Sequence, residues 1–207
     1  MSAEEAPSSE RPTSEVTLTV NGETVSEVVE PRHKLSDVLR DLLDLRSVKV
    51  GCEHGVCGAC TVAMDGAIVK ACLVYAVQAD GSEIETAEGL VEPDGSLHPI
   101  QQAFHEEHAL QCGFCTSGFV MATRALLEAD PDPDREAIQH GLADNLCRCT
   151  GYQNIVKSIE YAADVLNGRE PPESPLENEQ ATTETATDGG HEAGRGCHCG
   201  GSDAGVE

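Results

Sequence analysis

Ten cysteines in a 207-residue chain supply the chemistry, and spacing sorts eight of them into two sets. The first set is Cys52, Cys57, Cys60 and Cys72, spaced C-x4-C-x2-C-x11-C. Three thiolates on one loop, with a fourth from a later strand or turn, is the plant-type spacing for a [2Fe–2S] cluster. A zinc knot is the competing use of four thiolates, but it prefers paired C-x2-C units. The loop "GCEHGVCGAC" also carries Gly51, Gly55 and Gly58, which let the backbone curl around an inorganic core and aim N–H groups at its sulfurs. Such contacts stabilise the added charge of a reduced cluster and raise its potential. His54 shares this loop. A Rieske-type centre needs two histidines in place of two cysteines, so His54 is read as a solvent-facing loop residue.

The second set is Cys112-x2-Cys115 and, 31 residues later, Cys147-x-Cys149. Two thiols one residue apart in "DNLCRCTGYQNI" give a metal centre only half of a four-ligand set, so they need the other pair. Each pair stands at the approach to a predicted helix. Free backbone N–H groups and the positive end of the helix dipole favour an anionic thiolate centre there. On spacing alone, zinc and [2Fe–2S] both suit these four thiolates. A last group, Cys197, His198 and Cys199 in "GCHCGG", lies in a polar tail. It is read as structureless, with adventitious or regulatory metal and thiol chemistry as the alternative.

The elements that must position these thiols change character once along the chain. "VTLTV", turn Asn21-Gly22 and "ETVSEVV" predict a hairpin. "LSDVLRDLLDL" predicts a helix with Leu35, Val38, Leu39, Leu42 and Leu43 on one face. "CTVAM", turn "DG" and "AIVKAC" predict a second hairpin, and residues 74–77 and 84–86 read as short strands. Two hairpins with one helix across them make a β-grasp-like domain over residues 15–92. Beyond Pro93 the period is helical, with helices predicted over 98–109, 116–128, 134–142 and 152–167, an all-α four-helix domain over 93–168. The fold class is therefore α+β. Residues 1–14 read as a loose acidic arm. Residues 169–207 carry nine acids against two arginines and few large apolar side chains, which predicts a disordered acidic tail.

Composition narrows the partners. Thirteen basic residues against 37 acidic ones give a net charge of −24, which repels nucleic acid and anionic membranes. Four lysines, no tryptophan and many acids suit either a salt-adapted host or an ordinary acidic subunit. There is no apolar run long enough for a transmembrane helix and no signal-peptide h-region, so the expectation is a cytoplasmic protein whose cysteines serve metal or redox chemistry.

Taken in order, "GCEHGVCGACTV", the "CL" at Cys72, "QCGFCTSG" and "NLCRCTGYQNI" resemble the iron–sulfur subunit of the molybdenum hydroxylases, the family of xanthine dehydrogenase, aldehyde oxidoreductase and aerobic carbon monoxide dehydrogenase. The resemblance covers about residues 15–168. It implies two [2Fe–2S] clusters, one held by Cys52, Cys57, Cys60 and Cys72 in a plant-type ferredoxin-like domain. The other is held by Cys112, Cys115, Cys147 and Cys149 in the four-helix domain. It implies a hetero-oligomer in which a large subunit holds molybdenum on a molybdopterin and oxidises substrate with water, and a further subunit carries FAD. The helical-domain cluster then lies beside the pterin, approached by Gln111, and the ferredoxin-like cluster lies towards the flavin. The chain is thus expected to be the electron-transfer subunit of an oxidoreductase, with no catalytic residue or substrate site of its own. A free-standing two-cluster ferredoxin and a zinc-stabilised interaction module are the alternatives. Ser117 stands where the family usually has proline, and serine is expected to cap the helix there instead.

Overall fold

The computed structural model of the chain describes residues 11–172. Most of the expected arm, the expected tail and its Cys197–His198–Cys199 group lie outside the described residues. Strands β1 (Ser14–Val20) and β2 (Glu23–Val29) form the first hairpin, with Val20 opposite Glu23 across Asn21-Gly22. Both turn residues have positive φ, 50° and 84°, which matches a two-residue turn to the strands' right-handed twist. Strands β3 (Thr61–Met64) and β4 (Ala67–Lys70) repeat this around Asp65-Gly66. Strand β5 (Glu83–Glu85) pairs parallel to β1 and antiparallel to β3, giving the five-stranded order β2-β1-β5-β3-β4. Alternation buries Val16, Leu18 and Val20 against Leu35, Leu39, Val62 and Ile84.

Two expectations on this side are corrected. The helix after the first hairpin, α1, runs as α-helix only over Leu35–Asp37 and widens to a π turn over Val38–Leu42. The wider turn keeps Leu35, Val38 and Leu39 fully buried but carries Leu42 out to 46% exposure, off the face predicted for it. Residues 74–77 are not a strand. They touch the chain ahead of α1 through a single bridge, Lys34 to Tyr75, and then tighten into a 3-10 turn that drives Ala76 and Ala79 into the core.

Four helices follow, α2 (Pro99–Glu106), α3 (Thr116–Ala129), α4 (Arg135–Gly141) and α5 (Gln153–Leu166). Their starts are chemically marked. Pro99 occupies the first turn of α2, His98 Nδ1 accepts from the Ile100 N–H, and Asp134 accepts from the Ala137 N–H to open α4. Helix α5 buries Ile155, Ile159 and Ala162, the stripe expected of an amphipathic helix, against α2. Helix α3 is apolar nearly all round because it is sandwiched, packing on α2 and α4 and also on β3 and β4. Ala63 and Ile68 of the second hairpin therefore join the helical core. No helix of the described residues is long and apolar enough to cross a membrane.

Candidate metal centres

The eight described cysteines are unpaired thiols, and the chain fold draws them into the two sets that spacing outlines. Cys52, Cys57 and Cys60 lie on the loop between α1 and β3, and Cys72 enters from the 3-10 turn Ala71–Leu73 after β4. Cys60 and Cys72 are buried, while Cys52 and Cys57 are half-buried. Cys112 and Cys115 lie between α2 and α3, and Cys147 and Cys149 between α4 and α5. Of these, Cys112 and Cys149 face solvent with their sulfurs 3.6 Å apart. Within each set the thiols meet as pairs: Cys52 with Cys57, Cys60 with Cys72, Cys112 with Cys149, and Cys115 with Cys147. Among the described residues no group of three or more His, Cys, Asp or Glu side chains gathers as a single-ion site. Pairs of sulfurs suit a binuclear centre, in which each iron takes two protein thiolates.

The backbone treats the pairs unequally. The loop aims N–H groups of His54 and Cys57 at the Cys52 sulfur, the latter at 3.4 Å, and these bonds bring its pKa down to about 6. Burial pushes Cys60 up to about 11 and Cys115 up to about 12, in the second case with help from the Cys147 thiol. The Phe114 N–H, then the Cys149 thiol, lower Cys112, and Cys149 is raised in exchange. At Cys147 burial works upward but is outweighed by Thr150, whose hydroxyl and N–H reach the sulfur at 3.1 and 3.4 Å. Each set thus holds one or more thiols disposed to ionise beside thiols disposed to stay protonated. A thiolate, not a thiol, is the metal ligand.

Several residues that motif reading passed over do the positioning. Tyr152 opens α5 at φ 68°. Its hydroxyl accepts from the Cys147 N–H at 2.9 Å, and its ring meets Phe119 edge-on at 6.0 Å. Asn145, fully enclosed, donates to the Gly58 carbonyl at 3.1 Å, and the Leu146 N–H donates to the Cys57 carbonyl at 2.9 Å. These bonds tie the chain one residue before Cys147 to the loop of the first set. Gly58 sits at φ 71°, and a Cβ there would collide with the Asp144 carbonyl and the Asn145 amide. Phe114, between Cys112 and Cys115, reaches the other loop: a Cβ on Gly51 would stand 3.4 Å from its ring and 3.2 Å from the Cys57 sulfur. No spacing rule signals Asn145, whose partner Gly58 is 87 residues away, or Tyr152, whose hydroxyl bond to Cys147 depends on the left-handed turn that opens α5.

Other expectations fare differently. His54 is exposed, as read. Gln111 is exposed beside Cys112. Ser117 does not cap α3: the cap position is Cys115, without a side-chain cap bond, and the Ser117 hydroxyl donates instead to the Ser47 carbonyl. The reason is geometric, since the first turn of α3 faces the segment leading to the Cys52 loop rather than open solvent.

Comparison with known proteins agrees with this geometry. A family model described as 2Fe-2S iron-sulfur cluster binding domain matches residues 18–90, and one described as [2Fe-2S] binding domain matches residues 86–160. The nicotine 6-hydroxylase small subunit of Paenarthrobacter nicotinovorans is 52% identical over 145 residues, covering 70% of this chain and 87% of that one. The nicotinate dehydrogenase small FeS subunit of Eubacterium barkeri is 47% identical over 149 residues, covering 72% and 94%. The solved quinoline 2-oxidoreductase of Pseudomonas putida 86 superposes with a TM-score of 0.72 at 42% identity, over 76% of this chain and 99% of that one. With both cysteine sets inside the matched span, this chain belongs to the iron–sulfur small subunits of the molybdenum hydroxylases.

Proposed function

We propose that Cys52, Cys57, Cys60 and Cys72 hold one [2Fe–2S] cluster and Cys112, Cys115, Cys147 and Cys149 the other, in a chain that passes electrons within a molybdenum hydroxylase. The observation that carries this is the two-by-two meeting of the thiols in both sets, with the sets joined by the Leu146 N–H to Cys57 carbonyl bond. A [2Fe–2S] cluster takes up and releases one electron at a time, so two of them suit stepwise transfer from a two-electron molybdenum centre to a two-electron flavin. The residues do the rest. N–H groups at Cys52 and the Thr150 hydroxyl at Cys147 hold negative sulfur, and burial of Cys60 and Cys72 keeps water from the first set.

The cofactors are therefore two [2Fe–2S] clusters on this chain, with molybdopterin and FAD on partner subunits of a hetero-oligomer. Relatives named as subunits of a hydroxylase and of dehydrogenases favour this over a free-standing ferredoxin. We divide the chain into a ferredoxin-like domain over 15–92 and an all-α four-helix domain over 93–168. Gln111, exposed next to Cys112, is our candidate for the residue nearest the partner's pterin. Leu110, Phe114 and Leu146, close in sequence to the second cysteine set, are 41%, 46% and 50% exposed, and we propose that they contribute apolar contact to the large subunit. We place the chain in the cytoplasm, where a count of ten cysteines argues for metal or redox chemistry more than for disulfides.

Iron analysis of the full chain tests the assignment: four irons are expected, and Cys197→Ser/Cys199→Ser should leave that number unchanged. Two irons in a fully coloured preparation, or loss of half the iron in the double variant, would overturn the ligand sets.

A further inference from the structure

The segment Arg46–Lys49 leads into the Cys52 loop without forming helix or strand, so side chains and loop backbone must hold its polar groups. Ser47 is held at three points. Its N–H donates to Glu88 Oε1 at 2.7 Å, its hydroxyl donates to Glu88 Oε2, and its carbonyl accepts from the Ser117 hydroxyl. The Arg40 guanidinium holds the next carbonyl, that of Val48, at 2.7 Å, and Lys49 N–H donates to the Ala59 carbonyl at 3.2 Å. Glu88 is itself anchored, since its Oε2 accepts from the Thr86 hydroxyl at 2.7 Å, and Thr86 exchanges hydrogen bonds with Asn21 in the turn of the first hairpin.

This chain of bonds starts in the sheet and ends on the second residue of α3, two positions after Cys115. On another edge of the seam, Asn145 and Leu146 pin the Cys57–Gly58 part of the loop, and Arg124 of α3 pairs with Glu85 of β5 at 2.7 Å. Those contacts grip the middle of the loop and the sheet. The Ser117–Ser47–Glu88 bonds grip the entry to the loop, where Cys52 follows. Without them the entry to the Cys52 loop is hydrogen-bonded to its own sheet but not to α3, and only the packing of Phe114 near Gly51 joins the Cys52 side to the segment of Cys115.

We propose that Ser117, acting through Ser47 and Glu88, is a positioning residue that sets the separation of the two cysteine sets and hence the coupling of the clusters they hold. The inference rests on the cluster reading above. It concerns spacing, whereas that reading concerns ligation, and the two fail differently. The test uses the full chain in its assembled complex, reduced with dithionite, and reads the magnetic interaction between the two reduced clusters by paramagnetic resonance, as splitting or relaxation enhancement. Ser117→Ala should keep four irons and both cluster signals while losing part of that interaction. Ser117→Thr, which retains a hydroxyl at the same place, should restore it. An unchanged interaction in Ser117→Ala overturns the inference. Loss of iron from one cluster in Ser117→Ala overturns it as well, because the residue would then be supporting a ligand set rather than spacing two. Fewer than four irons in the unsubstituted complex would instead sink the cluster reading.

Discussion

Thiols of one set in this chain differ widely in their readiness to ionise. Cys52 is held near pKa 6 by loop N–H groups, while burial pushes Cys60 to about 11. A lowered pKa means that the thiolate dominates above it, so Cys52 is ionised at neutral pH and Cys60 is not. Metal uptake needs thiolates and releases the protons of those still protonated. In chain stripped of iron, alkylation of Cys52 should therefore rise through a midpoint near pH 6 and be nearly complete at pH 8. Cys60 and Cys115 should stay largely unlabelled there. Peptide mapping after timed iodoacetamide treatment measures this directly. Equal labelling of Cys52 and Cys60 at pH 7 would show that the loop N–H groups do not aim at the Cys52 sulfur.

Where α3 meets the loop of the first cysteine set, contact is by close backbone approach rather than by large side chains. Gly118 of α3 lies so near the Gly58 carbonyl that an added Cβ would overlap it, and nothing flexible is available to yield. Gly118 is not among the positive-φ glycines, so alanine costs it no backbone strain and the whole penalty is steric. Gly118→Ala should destabilise the chain by ~1–3 kcal/mol, as overpacking does. Gly141→Ala is the control. Its Cβ meets only the movable end of Leu126 at 3.1 Å, and alanine's helix propensity offsets the crowding, so the thermal midpoint should hardly move. Equal melting of the two variants would mean that α3 does not sit against the Gly58 loop.

For the whole molecule, series order and charge matter. If the set around Cys112 faces the molybdenum subunit and the set around Cys57 faces the flavin, single substitutions must differ in kind. Cys57→Ser should leave the inner cluster reducible by substrate while electrons fail to reach the external acceptor. Cys112→Ser should leave neither cluster reducible by substrate. Stopped-flow reduction of the two assembled variants separates these outcomes, and normal turnover in both would remove the clusters from the route. Charge adds a second expectation. At −24 the chain repels itself, and salt shrinks the screening length from ~30 Å at 0.01 M to ~3 Å at 1 M. The melting temperature of the chain should climb over that range of KCl. A flat profile would mean that repulsion among the unpaired acids does not weigh on stability.

Local chemistry was legible in the sequence. Asn21-Gly22 and Asp65-Gly66 specify their turns from two residues each, and the helix starts at His98-Pro99 and Asp134 follow from capping and proline preferences that act within one turn. The short spacings within single loops were legible for the same reason, C-x4-C-x2-C before β3, C-x2-C before α3 and C-x-C before α5. The π turn that expels Leu42 was not legible, since an α and a π turn share nearly the same apolar pattern and packing chooses between them. Nor was the role of Ser117, where a hydroxyl suited to capping found the Ser47 carbonyl nearer. Asn145 and Gly118 gain their meaning only from Gly58, far along the chain. The sequence by itself determined the short spacings between the thiols and the turns that present them. Tertiary structure alone decided how closely the two sets stand and what holds them there, because contact between remote segments depends on where the whole chain has packed.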